Sequence, residues 1–497
     1  MRRALGIGAL AGLCIGLAGM PEQAFWLAWL GPGLLLVGLE PTSGALVRPR
    51  VAIVLGLACG LSCNAWTMRW AIELFERYAY LPWPAALGLS ILLWLGQSAP
   101  WAFGLGLAAA LRPRRAWAVL PIALTVSASL VPMIFPWRPG VSQTGWLPFV
   151  QCAELGGPPL VDLLFLGGAI AAMQALRRRD RSAALVAALC LLLPLAWGTA
   201  RLATLREERA HWPLLRVGLL QHGLGIEERI DGSRTLSDHQ AMRRSTAALE
   251  REGAELVVWP ESAYGFGWQR DWVDDPVGED GFFHDGVHGP LLVGAITSTW
   301  SRLWNSVLAI EDGRVTGIAD KVHLMAFTEE VPLWDELPPL QQLVSRGLMR
   351  GTVESEVLRV GGVHVGILNC FEDLVPEHAR ALTGLGAELL SNHTNDAWFG
   401  DTTAPHMHRF LSTMRAIETR RDLVRVVGTG PSGLTSALGE RDEGTPTFVA
   451  ATRIVEARLG TEITPWVRYG DLVTTPLAVA LVLLALHAAR RARWQSA

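Results

Sequence analysis

Lysine is almost absent from this chain. Of 43 lysines and arginines in 497 residues, one is a lysine, Lys321, and the rest are arginine. A GC-rich coding bias of that strength turns lysine into arginine wherever arginine serves. The survivor either escaped by chance or stands where a compact ammonium of tunable pKa is required. Charge of either sign is also sparse. Only 18% of residues are charged and 50% are hydrophobic, which excludes an ordinary soluble protein of this length. Cysteine is rare too. Cys14, Cys59, Cys63 and Cys190 fall in apolar stretches, Cys152 lies in a connecting loop, and residues 200–471 hold Cys370 alone. No internal repeat or low-complexity tract interrupts residues 200–471.

What is abundant is apolar sequence, and it is unevenly spread. Residues 4–20, 24–39, 51–68, 84–111, 116–135, 158–176, 183–199 and 472–489 are apolar runs with few or no charges. Most approach the ~20 residues that carry a helix across a bilayer. They predict a polytopic helical membrane domain of about eight spans, seven within residues 1–199 and one within residues 472–497. Residues 1–20 would also suit a cleaved signal peptide, but no small-x-small cleavage pattern follows them. Arginines cluster at Arg2/Arg3, Arg48/Arg50, Arg112/Arg114/Arg115, Arg177/Arg178/Arg179/Arg181 and Arg490/Arg491/Arg493, at every second loop. The excess of arginine in cytoplasmic loops puts these inside and residues 200–471 on the outer side. Arg201, Arg206 and Arg209 run against that reading, diluted by Glu207 and Glu208. The loop 136–157 is expected outside as well. Its Trp137, Trp146 and Phe149 suit an interfacial segment or a plain connection.

From Arg216 the pattern changes. "LLRVGLLQ" (214–221), "AELVVWPE" (254–261), "PLLVGAIT" (290–297), "NSVLAIED" (305–312), "VGILNC" (365–370), "ELLSN" (388–392) and "LVRVVG" (423–428) read as strands bounded by Gly, Asp and Asn. Residues 236–252, 374–384 and 405–421 read as helices, the first capped by Ser237 or Asp238 and stopped at Gly253. Strands alternating with helices predict an α/β layered sandwich over residues 200–471.

Three strand ends in that region carry chemistry. A lone thiol on the outer side of a membrane, where disulfides are favoured, is either a nucleophile, an inert buried cysteine, or a partner for Cys152. Glu261 ends "LVVWPES", and Lys321 stands in "ADKVHLMAFTEEVP". Each alone is weak. Together, a carboxylate that takes the thiol proton and an ammonium that stabilises an oxyanion make a unit for acyl transfer through a thiolate. His406 and His408, with His393 nearby, fit no common zinc spacing, and a His-x-His pair at a helix start is expected on the surface. No metal and no other cofactor is expected.

"VVWPES", "DKVHL…FTEEVP", "GILNCFED" and "NHTNDAWFGDTTAPHMH" resemble the signature of the nitrilase (carbon–nitrogen hydrolase) superfamily. With seven spans before and one after, the whole chain resembles its membrane-embedded branch, the apolipoprotein N-acyltransferase family. The resemblance implies an αββα nitrilase-like sandwich on the outer face of a bacterial inner membrane. It implies a Glu–Lys–Cys triad at Glu261, Lys321 and Cys370, and two further essential acids at Glu329 and Glu372. Phe371, Trp398 and Phe399 are expected to line the substrate pocket, with Trp398 and Phe399 packing either acyl chains or core. The implied donor is a phospholipid, usually phosphatidylethanolamine. The implied acceptor is the N-terminal S-diacylglyceryl cysteine of apolipoproteins, and no nucleic acid is involved. A membrane-tethered amidase would use the same triad, and a dead scaffold would not keep all five polar residues. The chain departs from the family's pattern at Phe371, where tyrosine is usual, and at Ala326 and Thr328, which replace a proline and a glycine.

Overall fold

The computed structural model describes residues 1–19, 22–42, 45–225, 228, 232–272, 286–326, 328–330 and 347–496. Met20 of the first expected span and Phe327, Val331 and Pro332 of "FTEEVP" lie outside the described residues. The chain divides into two compact units. One is Met1–Leu205 with Thr464–Ala497, and the other is Arg206–Ile463.

The first unit is built of helices joined by short connections. Four helical stretches, Pro49–Thr67, Trp83–Ala110, Ala153–Arg178 and Arg181–Ala210, are long and apolar enough to cross a membrane. Ala24–Leu39, Ala116–Leu130 and Thr474–Arg490 are apolar but shorter, and Arg2–Leu17 has 16 residues. Every expected span therefore falls on a helix, while four of them reach spanning length. Local chemistry explains the short ones. Residues Glu22–Trp29 form a 3₁₀ helix, and α-helix begins only at Leu30. The helix Ala116–Leu130 stops at Val131, the residue that precedes Pro132 and is therefore biased away from helical dihedrals. Close packing follows from a small-residue row on the first helix. A side chain at Gly12 would begin 2.0 Å from the Cys59 carbonyl oxygen of the helix Pro49–Thr67, so only glycine lets these backbones meet. The loop 136–157 is structured. It forms a 3₁₀ helix at Pro139–Gly145 and a short helix at Leu147–Val150, with Phe149 fully buried and stacked on Trp146.

The second unit is built on two sheets. The strands are β1 (Leu214–Gln221), β2 (Leu256–Val258), β3 (Tyr264–Gln269), β4 (Leu291–Thr299), β5 (Arg302–Glu311), β6 (Arg314–Asp320), β7 (Val357–Val360), β8 (Val363–Asn369), β9 (Leu389–Thr394), β10 (Leu423–Val427), β11 (Gly433–Thr435) and β12 (Ala451–Arg458). One sheet runs β12-β1-β2-β4-β5-β6 with β3 beside β4, and the other runs β11-β10-β9-β8-β7. Strand periodicity sorts the side chains into layers. Val217 and Leu219 of β1 face Val365 and Ile367 of β8 across the interior, with Val307, Val424 and Val455 in the same cluster. The alternate residue Leu368 packs outward against Leu382 and Ala416 of the helices Pro376–Gly384 and Ala404–Thr419. Val257 and Trp259 pack outward against Met242 and Leu249 of the helix Thr235–Arg251. Helix, sheet, sheet, helix is the order of layers. The helix start differs from expectation: Arg234 is the N-cap, and Ser237 gives its hydroxyl to the Arg234 carbonyl instead of capping.

Candidate active site

Three strand ends converge. β2 stops because Pro260 has no N–H to continue the ladder. The last bond is from the Trp259 N–H to the Leu292 carbonyl, at 2.8 Å. The chain then turns through Glu261 and Ser262, whose φ is +50°. Gly294 of β4 makes that turn possible, since a Cβ there would sit 2.1 Å from the Pro260 oxygen and 2.8 Å from the Glu261 Cα. Lys321 directly follows β6, its N–H donating to the Asn305 carbonyl at 2.8 Å. Cys370 directly follows β8 as the first residue of a 3₁₀ turn, Cys370–Leu374, at φ +54°. For a residue with a side chain, that region costs on the order of 1–3 kcal/mol and persists only where the surroundings hold it. Here the Asn392 amide holds it, donating to the Cys370 carbonyl at 2.8 Å and the Leu368 carbonyl at 3.2 Å.

The carboxylates are arranged around the lysine. The buried Lys321 Nζ lies 2.8 Å from the Glu329 carboxylate and 3.4 Å from Glu261 Oε1. Asn305 Nδ2 bridges the same two acids, donating to Glu261 Oε1 at 2.6 Å and Glu329 Oε1 at 3.0 Å. The other Glu261 oxygen accepts the Asn395 N–H at 2.9 Å, and the other Glu329 oxygen accepts the Met325 N–H at 2.8 Å. Glu372 does something different. Its Oε1 accepts from the backbone N–H groups of Val322 and His323, at 2.8 and 2.7 Å, and its Oε2 accepts from Asn369 N–H at 2.7 Å. It ties the segment after the lysine to the turn that carries the cysteine.

Burial alone pushes the Lys321 ammonium down, but Glu261, Cys370, Glu329 and Glu372 more than offset it and hold it above its ordinary value. The lysine is charged. Burial raises the Cys370 thiol well above its usual range, Glu261 adds to that, and Lys321 opposes it. The resting group is a neutral thiol beside an acceptor for its proton. Burial also raises Glu372 to about 7, against the pull of Lys321 and of the His323 and Asn369 N–H groups.

The family model described as Carbon-nitrogen hydrolase matches residues 216–458. The model of the apolipoprotein N-acyltransferase N-terminal domain matches residues 11–171. An apolipoprotein N-acyltransferase of Gloeobacter violaceus is 31% identical over 501 residues, covering 96% of this chain and 92% of that one. The chain belongs to the apolipoprotein N-acyltransferase family. A Geobacter metallireducens member is 28% identical over 99% of this chain and 96% of its own length. A solved amidase from Nesterenkonia, of the nitrilase superfamily, is 19% identical with a TM-score of 0.35, over 49% of this chain and 90% of that chain.

Within this family member, the remaining expected residues separate. Phe371 is buried, and its ring carries the Lys321 Nζ at 5.4 Å. That contact uses the ring face and needs no hydroxyl. Trp398 and Phe399 are half-buried in the 3₁₀ turn Asp396–Phe399. His406 is exposed, His393 is a core residue bonded to the Trp259 carbonyl at 2.8 Å, and His408 is buried rather than on the surface. Among the described residues, Glu356, Glu372 and His378 are the three metal-capable groups within 4.8 Å of one another. Glu372 already accepts three N–H bonds. Burial raises Glu356 and lowers His378 to about 4. His378 Nε2 lies 2.8 Å from Glu356 Oε2. Sequence reading missed Asn305, Asn392 and Asn395. Asn305 could have been noticed as an amide inside the apolar strand "LWNSVLAI", since a buried amide needs partners.

Proposed function

We propose that this protein transfers an acyl chain from a phospholipid to the N-terminal amine of S-diacylglyceryl apolipoproteins through a thioester on Cys370. The observation that carries the reading is the meeting of Glu261, Lys321 and Cys370 at three strand ends, in a chain that also holds a unit of long apolar helices. Glu261 takes the thiol proton, and the thiolate attacks the ester carbonyl. The Lys321 ammonium and backbone N–H groups of the Cys370 turn stabilise the tetrahedral oxyanion. Glu261 returns the proton to the leaving oxygen, a lysophospholipid departs, and the acyl thioester remains. The acceptor amine attacks the thioester, gives a proton to Glu261, and leaves as an amide while Cys370 is regenerated. Glu329 holds Lys321, and Glu372 holds the lysine's segment against the nucleophile's turn. Phe371, Trp398 and Phe399 flank the acyl chain. Both substrates are anchored in lipid, which is why the catalytic unit is fused to helices that would span the bilayer. The arginine pattern supports residues 1–199 as seven spans and 472–497 as an eighth with its tail. Residues 200–471 would then face the periplasm from a bacterial inner membrane, with phosphatidylethanolamine as donor.

The test supplies a phospholipid labelled in its acyl chain together with a synthetic diacylglyceryl-cysteine peptide. Label in an amide on the peptide's N-terminus is expected. Labelled free fatty acid with unmodified peptide would show that water is the acceptor, and would replace the transferase reading with a hydrolase.

A further inference from the structure

The histidine pair of "APHMH" splits in the structure, and the buried member has a place that the chemistry above does not use. His408, on the helix Ala404–Thr419, has Nε2 2.8 Å from Asp373 Oδ1 and Nδ1 3.0 Å from Asp396 Oδ1. An ionised carboxylate only accepts hydrogen bonds, so a ring facing one at each nitrogen donates from both and is an imidazolium. Arg425 of β10 engages the same two acids from its own side. Its Nη1 donates to Asp373 Oδ2 and, at 2.7 Å, to Asn392 Oδ1, while Nη2 donates to Asp396 Oδ2 at 2.8 Å. Two acids and two cations balance in a region where all four side chains are buried. Remove one cation and a buried carboxylate is left uncompensated, which is strongly unfavourable.

Each acid stands next to a support of the site. Asp373 is inside the turn that begins at Cys370. Asn395, adjacent to Asp396, gives its N–H to Glu261. The Thr394 hydroxyl bonds the Cys370 thiol and lies 3.4 Å from Asp396 Oδ1, the oxygen that His408 holds. Asn392, oriented by Arg425, donates to the Cys370 carbonyl.

We propose that His408 is a positioning residue for the acyl transfer. As an imidazolium it ties Asp373 in the nucleophile's turn to Asp396 beside the loop that holds Glu261, and with Arg425 it neutralises Asp396. The proposal rests on the reading of Cys370 as nucleophile and Glu261 as base. The groups facing the ring are Asp373, Asp396 and Arg425, and Arg415 of its own helix reaches the Asp373 carbonyl at 3.5 Å. Burial and Arg425 push the ring down, but the two acids outweigh them and raise it to about 9. Asp396 pushes the Cys370 thiol up, so losing the imidazolium leaves Arg425 alone to oppose that push.

The experiment uses the full-length protein in detergent and two variants, His408→Gln and the charge-balanced pair His408→Gln with Asp396→Asn. Iodoacetamide labelling of the Cys370 peptide is followed against pH by mass spectrometry, beside single-turnover acylation from phospholipid. H408Q should move the midpoint of labelling up by about one pH unit. It should also slow acylation by roughly 10²-fold with little change in phospholipid KM. The double variant should return the midpoint toward that of the unmodified protein. An unshifted H408Q profile with acylation within about threefold would overturn the proposal, as would a folded double variant that keeps the whole shift. Should neither variant fold, nitrogen-15 histidine spectra of the unmodified protein decide. At pH 8, one of the 12 histidines should still be protonated at both ring nitrogens, and finding none would overturn the assignment. Labelling reports on the Cys370 environment whether or not acyl transfer occurs. An unmodified protein that forms no acyl-enzyme therefore counts against the acyl-transfer reading and leaves the His408 result separately readable.

Discussion

At the scale of single residues, the account depends on a thiol and an ammonium. On the proposed mechanism Cys370→Ala should abolish acylation while leaving a folded protein, since a half-buried side chain loses only its sulfur. Cys370→Ser should fail as well, because a carboxylate is a poor base for an alcohol. N-acylated product from either variant, measured with the labelled phospholipid, would contradict the assignment. Lys321 tests a finer point. The structure gives it two carboxylates, at 2.8 and 3.4 Å, and Lys321→Arg would preserve that charge balance. If the ammonium also contacts the oxyanion, the wider guanidinium displaces the acyl carbonyl. Losing one such donor costs ~10²–10³ in rate. We therefore expect Lys321→Arg to lose about two orders of magnitude or more in single-turnover acylation. A loss under about threefold would leave the lysine as a structural charge.

At the scale of elements, most of what positions the site was legible, and the exceptions have physical causes. The seven expected strands all overlap observed ones, because a short apolar run bounded by turn residues reports a strand buried on both faces. β3, β6, β7, β11 and β12 went unread. β7 and β11 span only four and three residues, too short for a periodic signal, and β12, at the sheet edge, buries only Val455 and Ala457. Glu261 and Cys370 were visible as odd residues at strand ends, and Lys321 as the one lysine of the chain. Asn305, Asn392 and Asn395 were not, because their role is to hold other side chains and only three-dimensional proximity reveals it. Glu372 was implied as an essential acid, and its clamp on two backbone segments became visible only in the fold. The clamp makes a pH prediction. A carboxyl raised from 4.5 to about 7 favours its protonated form in the folded state. Its contribution to stability is therefore full below about 4.5 and lost as pH rises through about 7. Thermal unfolding of the unmodified protein should show that loss across this window, and Glu372→Gln should flatten it. An unchanged slope in Glu372→Gln would assign the pH dependence to other groups. The same variant should slow acylation, since the lysine's segment loses its tie to the nucleophile's turn.

At the scale of the whole molecule, helix positions were read well and helix lengths less so, because hydropathy reports apolarity but not where Pro132 or a 3₁₀ start shortens a helix. Orientation rests on arginine placement alone. An engineered cysteine at Arg114 or Arg179 should resist impermeant thiol reagents in intact spheroplasts, while one at Glu207 should react. The reverse pattern would put the catalytic unit in the cytoplasm, away from lipoprotein substrates. The most direct test of the central claim needs no variant. Purified protein is incubated with a phospholipid of defined acyl chains, digested, and analysed by mass spectrometry. The account predicts the mass of that acyl chain on the Cys370 peptide, removed by hydroxylamine as a thioester is. An unmodified Cys370 peptide under conditions where lysophospholipid is released would contradict it.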